Sequence, residues 1–481
     1  MHRKAFQKPK AMKNKILIIC LIISSFSLIS ASNSKEIVVS NITELKAAMT
    51  SVKAGQAIVM KAGEWKNVQI DFNALATAAS PVTLRAQIPG KVIVCGNSSL
   101  TFSKPYLIVD GLVFKNGSYT GKISVISYKA DYCRLTNTVI DNFNPTDFKT
   151  AYYWIYFESN HNRVDHCFFT GKSNMNPVLG NDNENSRYNK VDSCYIKDIP
   201  YVEKANGREI FRIWGYGHAD ETGDDGAYFT VEYNLFDRAD GEGTEIVSLK
   251  SNYNVVRFNT VIASKGGLVG RRGKFNTFEG NIILGQGVEG TTGIRVAGAN
   301  HKVINNYISG VSEDGLRLIS GEYYEKSLTP SFAPKKKDLP KYLQVQNGYF
   351  ANNSILNCGG NGIDIGFSYK NQWPNLQMVL LPESNRFVSN VVYNCKRYSI
   401  TSAIQDKKAP LDLFSFQPNT FEGNVVWGSK VNITPMPEGI KIYRPTFIIA
   451  KNGLYKFENG ISTTLKPLTA KEVGPKWMTN K

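Results

Sequence analysis

The segment VEYNLFDRADGEGTEIVSLKSNYNVVRFNTV, residues 231–261, begins and ends with the same short pattern. An apolar residue, two variable residues, Asn, one variable residue and a second apolar residue follow one another, which places Asn234 and Asn259 25 residues apart. Apolar and polar residues alternate on each side of the Asn, as is typical of short β-strands. Asn suits the turn between strands because it tolerates left-handed backbone geometry and bonds to nearby backbone groups. The segment therefore predicts a coil of short strands that closes after each repeat.

The same pattern recurs along most of the chain, with Asn or Cys as the marker at its fourth position. The marker residues are Cys167, Cys194, Asn234, Asn259, Asn281, Asn306, Asn353, Asn390 and Asn424, with a weaker copy around Asn137. Successive markers lie 27, 40, 25, 22, 25, 47, 37 and 34 residues apart. A short minimum period with variable additions is typical of a β-solenoid, in which coils bury one another's faces and insertions leave as loops. We also expect the stacked Asn side chains to bond to each other along the axis.

Both ends of the solenoid are predicted to be capped. Residues 36–60 contain an amphipathic helix candidate from Ile42 to Val52, preceded by Ser40-Asn41, that would shield the apolar face of the first coil. After about residue 430 the pattern decays, and five prolines indicate an irregular wrap over residues 430–481. The stretch from Tyr323 to Leu343 is a basic insertion that we expect to form a surface loop.

The first 31 residues read as a signal peptide. Its charged residues are all basic: Arg3, Lys4, Lys8, Lys10, Lys13 and Lys15. An apolar run from Ile16 to Ile29 follows, and Ser30-Ala31-Ser32 supplies small residues for cleavage. The run is shorter than the roughly 20 residues that span a bilayer, so we predict export, to the periplasm or out of the cell, and no membrane span. Residues 32–481 then form one domain, since no low-complexity linker divides them.

The charge balance points to an acidic partner. Removing the six basic residues of the signal peptide from the formal net charge of +17 leaves +11. An exported basic protein has few nucleic-acid partners, so we expect the excess charge to face an acidic substrate or surface. General solubility is the alternative explanation. We expect a monomer that binds no nucleic acid.

Six cysteines remain after the signal peptide: Cys95, Cys133, Cys167, Cys194, Cys358 and Cys395. They form no CxxC motif and no cluster with His, which argues against a zinc site. An even number permits disulfides in an exported chain. Because Cys167 and Cys194 occupy the same place in two repeats, we expect stacked buried thiols instead.

Charged residues are concentrated between residues 205 and 300. The charged residues are Arg208, Arg212, Asp240, Glu242, Glu245, Lys250, Arg271, Arg272 and Arg295, and the polar residue Asn234 lies among them. Lys250 and Arg271 are 21 residues apart, nearly one coil, which predicts adjacent rungs about 4.8 Å apart. Two cations held that close lower each other's pKa, which is a usual way to make a lysine a base near neutral pH. The alternative is two surface cations bonded to nearby acids.

Such a pair suits elimination on a uronate. The proton α to a carboxylate is too weakly acidic for an unaided side-chain base. Neutralising the carboxylate with a metal ion or with cations makes the enolate-like intermediate accessible. A base then takes the proton, and a donor assists the departing glycosidic oxygen. A hydrolase would instead need two suitably placed carboxyl groups. Asp224 and Asp225 are the candidates, but adjacent aspartates between glycines are more typical of a turn.

These residues resemble those of polysaccharide lyase family 6, the alginate lyases and chondroitinase B. The longest matching stretches are DGEGTEIVSLKSNYNVVRFNT (240–260), GGLVGRRGKFNTFEGN (266–281) and TGIRVAGANHKVINNYISG (292–310). Shorter ones are LIVDGLVFKNG (107–117), NRVDHCFFTGKSN (162–174) and FRIWG (211–215). The resemblance covers about residues 100–310 and continues more weakly to about 425. It implies an all-β fold, a single-domain right-handed parallel β-helix with an N-terminal helical cap.

The resemblance also implies roles for individual residues. The lysine of its E-I-x-S-x-K-S motif is the base, here Lys250, and the arginine of its R-x-G motif is the acid or charge stabiliser, here Arg271. Calcium that neutralises the substrate carboxylate is held by an Asn and two glutamates. They match Asn234, Glu245 and, with a changed spacing, Glu242.

Further matching cations are expected to bind substrate. Arg212 and Arg295 match positions that grip neighbouring uronates, and Lys172 is a weaker candidate. Arg272 departs from the family, which commonly has His after the catalytic arginine.

The second departure concerns the metal site. The family's acids are spaced Glu-x-Glu, which places both carboxylates on one face of a strand. Glu242 and Glu245 are three residues apart and would point to opposite faces unless a bulge absorbs one residue, and Gly243 is the residue type that permits one. With the bulge we expect a calcium site. Without it, Arg272 would supply the neutralising charge and the enzyme would not need a metal.

Three functions remain open at this stage. Alginate lyase is the first, because the stretch around Arg295 looks more like the alginate branch of the family. Chondroitinase B-like cleavage of dermatan sulfate is the second, since the shared motifs do not encode the substrate. The third is a non-catalytic carbohydrate-binding β-helix, against which the intact Lys250 and Arg271 count.

Overall fold

The computed structural model describes most of the chain beyond its first 35 residues. The described residues are 36–181, 186–203, 205–214, 225–323, 341–369, 377–403, 417–458 and 465–478. The predicted signal peptide, Asp224 and most of the basic insertion lie outside them. In the described part of the chain, no helix is both long and apolar enough to cross a membrane.

The predicted N-terminal cap is present. Helix α1 (Ile42–Ser51) begins after Asn41, whose side-chain oxygen accepts the backbone N–H of Glu44 at 2.9 Å. The Glu44 carboxylate in turn accepts the backbone N–H of Ser40 at 2.7 Å, which completes a capping box. The buried face of the helix, which includes Leu45, packs on the first coil. The helix predicted from the sequence is thus confirmed.

Three long parallel sheets, named A, B and C here, run the length of the described domain, with strands numbered in chain order. Sheet A consists of β1 (Ile37–Val39), β2 (Ala57–Met60), β5 (Val82–Ala86), β8 (Leu107–Asp110), β11 (Arg134–Thr136), β14 (Arg163–Asp165), β17 (Lys190–Asp192), β20 (Thr230–Glu232), β23 (Val255–Arg257), β26 (Thr277–Glu279), β29 (Lys302–Ile304), β33 (Tyr349–Ala351), β37 (Arg386–Val388) and β40 (Thr420–Glu422). Sheet B consists of β3 (Gly63–Lys66), β6 (Val92–Gly96), β9 (Leu112–Gly117), β12 (Val139–Asp141), β15 (Phe168–Thr170), β18 (Tyr195–Ile199), β21 (Leu235–Ala239), β24 (Thr260–Ile262), β27 (Ile282–Leu284), β30 (Tyr307–Ser309), β34 (Ser354–Leu356), β38 (Val391–Tyr393), β41 (Asn424–Trp427) and β43 (Ile440–Ile442). Sheet C consists of β4 (Gln69–Phe72), β7 (Ser99–Phe102), β10 (Ser124–Tyr128), β13 (Tyr153–Phe157), β16 (Leu179–Asn181), β19 (Phe211–Ile213), β22 (Glu245–Lys250), β25 (Gly266–Arg272), β28 (Thr291–Val296), β31 (Leu316–Ile319), β35 (Ile363–Phe367), β39 (Tyr398–Ser402) and β42 (Lys430–Asn432).

Each coil contributes one strand to each sheet in turn, and every neighbouring pair within these sheets is parallel, as in β19 with β22 and β22 with β25. The architecture is a right-handed parallel β-helix, as expected. Two short antiparallel pairs lie outside the three sheets: β32 (Gly321–Tyr323) with β36 (Gln377–Leu380), and β44 (Phe447–Ile449) with β45 (Tyr455–Phe457).

The marker asparagines form a ladder inside the helix. The side-chain oxygen of Asn259 accepts both the backbone N–H and the side-chain N–H of Asn234, each at 3.0 Å. The same pair of bonds repeats from coil to coil as far as Asn424. The predicted stacking is therefore confirmed. The left-handed residue is, however, the one before the marker, for example Tyr233 with φ 53° and Phe258 with φ 53°.

The cysteines behave as predicted. All six that follow the signal peptide are free and buried. Cys194 takes the place of an asparagine in the ladder, and its backbone N–H donates to the Asn234 side-chain oxygen at 2.9 Å. Burial raises the pKa of the Cys133 thiol to about 12, as fits an unreactive packing residue.

The C-terminal segment includes the regular strands β42 to β45 and then a tail without regular secondary structure. Residues 465–478 run back along the coils towards the N-terminal end. Leu468 N–H donates to the Thr260 hydroxyl at 2.9 Å, Gly474 N–H to Ser193 O at 2.8 Å, and the Trp477 indole to Asn137 O at 2.9 Å. The tail thus ties distant coils together on the side between sheets A and B.

Candidate active site

The outer face of sheet C carries a cluster of cations and glutamates. The part of the surface that these side chains line is called the groove here. Strand alternation sends Phe211, Val247 and Leu268 into the core in matched register. Arg212, next to Phe211, and Lys250, next to the buried Leu249, therefore face outward. Every residue of the cluster comes from β19, β22, β25 and β28 or from the turns that precede them.

Lys250 ends β22 in a half-enclosed position, with a side chain that is 14% exposed. Its ammonium nitrogen lies 2.6 Å from a carboxylate oxygen of Glu209, which is almost fully buried just before β19. The same nitrogen lies 5.1 Å from the centre of the Trp214 ring. Lys250 is thus held between an acid and an aromatic face, both from the preceding rung.

Arg271 lies on the adjacent strand β25, one rung beyond Lys250. The pairing of β22 and β25 shifts register here, because Leu249 pairs with Gly270 while Lys250 pairs with Arg272. Arg271 is therefore the extra residue of a bulge, a feature that re-aims side chains. Its Nε lies 3.7 Å from a carboxylate oxygen of Glu245.

The bulge also directs Arg272 towards the groove. Its guanidinium carbon lies 5.7 Å from the centre of the same Trp214 ring that Lys250 approaches. In a regular strand two consecutive residues point to opposite faces. The register shift removes that constraint, so Arg271 and Arg272 both contribute charge to one site.

Two further arginines flank the pair. Arg295, on β28, binds the Glu245 carboxylate, which also accepts the Ser248 hydroxyl. Arg212, on β19, lies 3.5 Å from the second carboxylate oxygen of Glu209 and contacts the Tyr153 hydroxyl.

Three of the acids approach one another closely. Carboxylate oxygens of Glu209, Glu242 and Glu245 all lie within 4.8 Å of each other. The pKa of the Glu242 carboxyl lies above its usual value. The main cause is burial of the group, and the negative charges of Glu209 and Glu245 add to it. Gathered carboxylate oxygens are the donors that hard divalent cations prefer, so the set fits such an ion.

The route by which Glu242 reaches this cluster differs from the prediction. Glu242 lies in a turn before β22, between Gly241 with φ 57° and Gly243 with φ 76°. The bulge considered at Gly243 is not the cause. The strand begins only at Glu245, and its register shift falls between Glu245 and Val247. The left-handed turn places the carboxylates together without strand alternation.

Two predicted site residues are not in the cluster. Asn234 was expected to bind metal, but it is fully buried between sheets A and B, and the ladder uses both atoms of its amide. Lys172 was expected to bind substrate, but it is fully buried and donates to Asn174 O, Asn174 Oδ1 and Met175 O at 3.1, 2.7 and 3.3 Å. Burial holds the pKa of Lys172 well below its usual value. Both predictions are corrected, since a residue turned into the core has no surface to offer.

Sequence reasoning missed Glu209 and Tyr342. Glu209 lies two positions before Phe211, which pairs with Val247, and Glu245 lies two positions before Val247. It therefore stands one rung from Glu245, 36 residues earlier. The signal was its closeness to the recognised FRIWG stretch, but variable coil lengths hide such a match. Tyr342 lies at the C-terminal end of the basic insertion, which was expected to form a surface loop, and no repeat pattern marks it.

A family model and several solved structures match this chain. A family model described as chondroitinase B matches residues 39–431. The solved structure of a PL6 family polysaccharide lyase from Pseudopedobacter saltans is 46% identical, with a TM-score of 0.77, over 92% of this chain and 99% of that chain. A search of curated protein sequences returned no significant match.

Two other similar solved structures are of lyases whose descriptions name a substrate. The PL6 family alginate lyase AlyGC is 29% identical, with a TM-score of 0.78, over 92% of this chain but only 58% of that longer chain. A mannuronic acid-specific family 6 lyase from human gut microbiota is 26% identical, with a TM-score of 0.70, over 85% of this chain and 91% of that chain.

The chain is a parallel β-helix with a charged groove on one sheet, and lyases match it over nearly its whole length. It therefore belongs to the class of polysaccharide lyases. Within that class, the chain belongs to polysaccharide lyase family 6, the family of alginate lyases and chondroitinase B.

Proposed function

We propose that the chain cleaves alginate by β-elimination, with Lys250 as the base and Arg271 as the acid or charge stabiliser. The observation that carries the proposal is their placement on adjacent strands in one groove, where four cations converge on two glutamates. Similarity to two lyases, an alginate lyase and a mannuronic acid-specific lyase, supports the choice of substrate.

The contacts of Lys250 fit a base. Proton abstraction turns its amine into an ammonium, and the Glu209 carboxylate 2.6 Å away stabilises that product. Arg272, beside the same Trp214 ring, opposes a second positive charge there.

The arginines fit recognition of uronate carboxylates. A guanidinium presents a planar fork of donors that matches a carboxylate. Arg212 and Arg295 already bind carboxylates, those of Glu209 and Glu245. We propose that substrate carboxylates take part of this role when the polymer is bound, with Arg272 also facing them.

We propose calcium as the occupant of the glutamate cluster, held by Glu209, Glu242 and Glu245 in place of the set that includes Asn234. Bound there, the ion would neutralise a substrate carboxylate. The same carboxylates pair with Lys250, Arg271 and Arg295, so binding an ion means competing with those cations. Activity and melting temperature after exhaustive chelation, with and without added calcium, test this. Full activity and an unchanged melting temperature in both states would reject the ion and leave the neutralisation to Arg272.

The test of the function is direct. Purified protein is incubated with alginate, with its mannuronate-rich and guluronate-rich fractions, and with dermatan sulfate. Elimination creates a conjugated double bond, which is followed by its ultraviolet absorbance. Product from alginate supports the proposal. Product from dermatan sulfate alone would favour the second candidate, chondroitinase B-like cleavage, which the matching family model supports. Binding without product would favour a non-catalytic carbohydrate-binding β-helix.

We also propose that the protein acts after export, in the periplasm or outside the cell, as its first 31 residues indicate. Sequencing the N-terminus of the mature protein from cell fractions tests this. An uncleaved chain in the cytoplasm would reject it.

A further inference from the structure

The guanidinium of Arg271 is held by a segment that reaches sheet C from a distant part of the chain. Its Nη1 donates to the backbone oxygen of Lys341 at 2.7 Å. Its guanidinium carbon lies 3.7 Å from the centre of the Tyr342 ring, which is stacking distance. Both contacts come from the C-terminal end of the basic insertion, residues 341–343.

This segment is itself anchored from two sides. The buried carboxylate of Glu322, on β32, accepts the backbone N–H of Lys341 and, at 3.3 Å, that of Tyr342. The backbone N–H of Glu322 donates to Tyr342 O at 2.8 Å, and Gly298 N–H donates to Leu343 O at 3.0 Å. The Tyr342 backbone is therefore bonded through both its N–H and its carbonyl, which limits how far its ring can move.

Arg271 needs such support because of where it lies. It is the extra residue of a bulge, so the regular strand ladder does not set its direction. Glu245 lies on its other side, with 3.7 Å between Nε and the nearest carboxylate oxygen. Without the ring and the Lys341 carbonyl, the guanidinium would be drawn into a closer ion pair with Glu245.

We propose that Tyr342 is a positioning residue that stacks on Arg271 and keeps its guanidinium directed at the reacting sugar. The inference rests on the proposed function, since it assumes that Arg271 acts in the elimination. It adds the C-terminal end of the basic insertion to the machinery of the reaction. A small misplacement of a catalytic group costs about ten- to a hundredfold in rate, because orientation is part of catalysis.

The experiment compares three substitutions of one residue. Tyr342→Ala and Tyr342→Leu should each lower kcat about tenfold or more, with KM changed less than about twofold, since binding groups stay in place. Tyr342→Phe should keep activity within about twofold of the wild type, because stacking requires the ring and not its hydroxyl. Full activity in the Leu variant would overturn the inference, since bulk alone would then suffice.

A matched control lies on sheet A. Arg386 stacks on Tyr349 at 5.5 Å, outside the groove, so Tyr349→Ala should leave kcat and KM unchanged. Melting temperatures of all variants separate lost positioning from lost folding. A wild type without elimination product would mean that the proposed function has failed. The positioning role alone would have failed under a different set of results. In that case the wild type is active, Arg271→Ala is inactive and Tyr342→Ala is fully active.

Discussion

Sheets A and C both carry cations and carboxylates on their outer faces, yet the charges are paired in different ways. On sheet A, Arg134 binds Asp165 through two parallel bonds of 2.6 and 2.7 Å, and Arg163 binds Asp192 through two of 2.7 Å. Such two-pronged pairs are the strong, geometrically specific form of a salt bridge. The sheet A ladder thus locks Asp165 and Asp192 into two-pronged pairs between successive rungs, and each of these acids also lies 3.7 to 3.8 Å from a second cation.

On sheet C the acids are shared. One oxygen of Glu245 faces both Arg271 and Arg295, while Glu209 serves Lys250 and Arg212. Cations that share one acid can exchange it for the carboxylate of a ligand more readily than cations locked in pairs. We therefore propose that the sheet A ladder contributes stability and that the sheet C cluster contributes function.

The largest expected effect is that of Lys250. Lys250→Ala should lower kcat by about 100- to 10,000-fold, because a positioned base is lost, while the melting temperature stays near that of the wild type. Lys250→Arg should be almost as inactive, because a guanidinium does not deprotonate at working pH. The sheet A lysine that binds Glu232 is the control, and Lys190→Ala should keep full activity. Substantial lyase activity in a well-folded Lys250→Ala variant would contradict the assignment.

A tenfold effect is expected for the flanking arginines. Arg212→Ala and Arg295→Ala should each raise KM about tenfold and lower kcat less, the sign of lost uniform binding. Steady-state kinetics on polymer measure this. Should both variants bind and cleave like the wild type, the groove would have to lie elsewhere on the surface.

The two regions should also differ in the sign of their pH dependence. Burial opposes ionisation of Asp165, but hydrogen bonds from Arg134 and His166 outweigh it and hold its pKa below the usual value. A depressed folded pKa gives stability that is present above the unfolded pKa and is lost as pH falls. Asp165→Asn should therefore cost about 1–3 kcal/mol of unfolding free energy at neutral pH and much less in acid.

Glu242 should show the reverse. Its raised pKa means that the folded state holds the proton more tightly, so stability falls as pH rises from the unfolded value through the folded one. In chelated protein, Glu242→Gln should raise the melting temperature at neutral pH and change it little in acid. Melts over a pH series check both variants, and a parallel response of the two would undo the contrast between the regions.

The smallest effect is expected for a single arginine of the ladder. Arg163 is 40% exposed, so solvent screens its pairs, and Arg163→Ala should cost only about 1 kcal/mol with kcat/KM unchanged. Denaturant unfolding and kinetics on the same preparation measure both. A loss of activity would show that the sheet A ladder supports the groove as well as the fold.

Much of the fold could be predicted because its cause is local and repeated. A marker such as Asn259 sits in the same short pattern in most coils, so each copy reinforces the interpretation of the others. The cap could be read from Ser40 to Glu44, where a capping box needs only neighbouring residues. The adjacency of Lys250 and Arg271 was predictable for a similar reason, since no insertion separates their rungs.

By itself, the sequence determined the coil, its internal ladder and the rung on which the Lys–Arg pair stands. Only the tertiary structure decided which polar residues meet there. It brought in Glu209 and Tyr342 across intervening loops, and it withdrew Asn234 and Lys172 into buried positions. The physical reason is that a repeat fixes the height of a residue along the axis, whereas the turns and bulges between repeats fix the direction of its side chain.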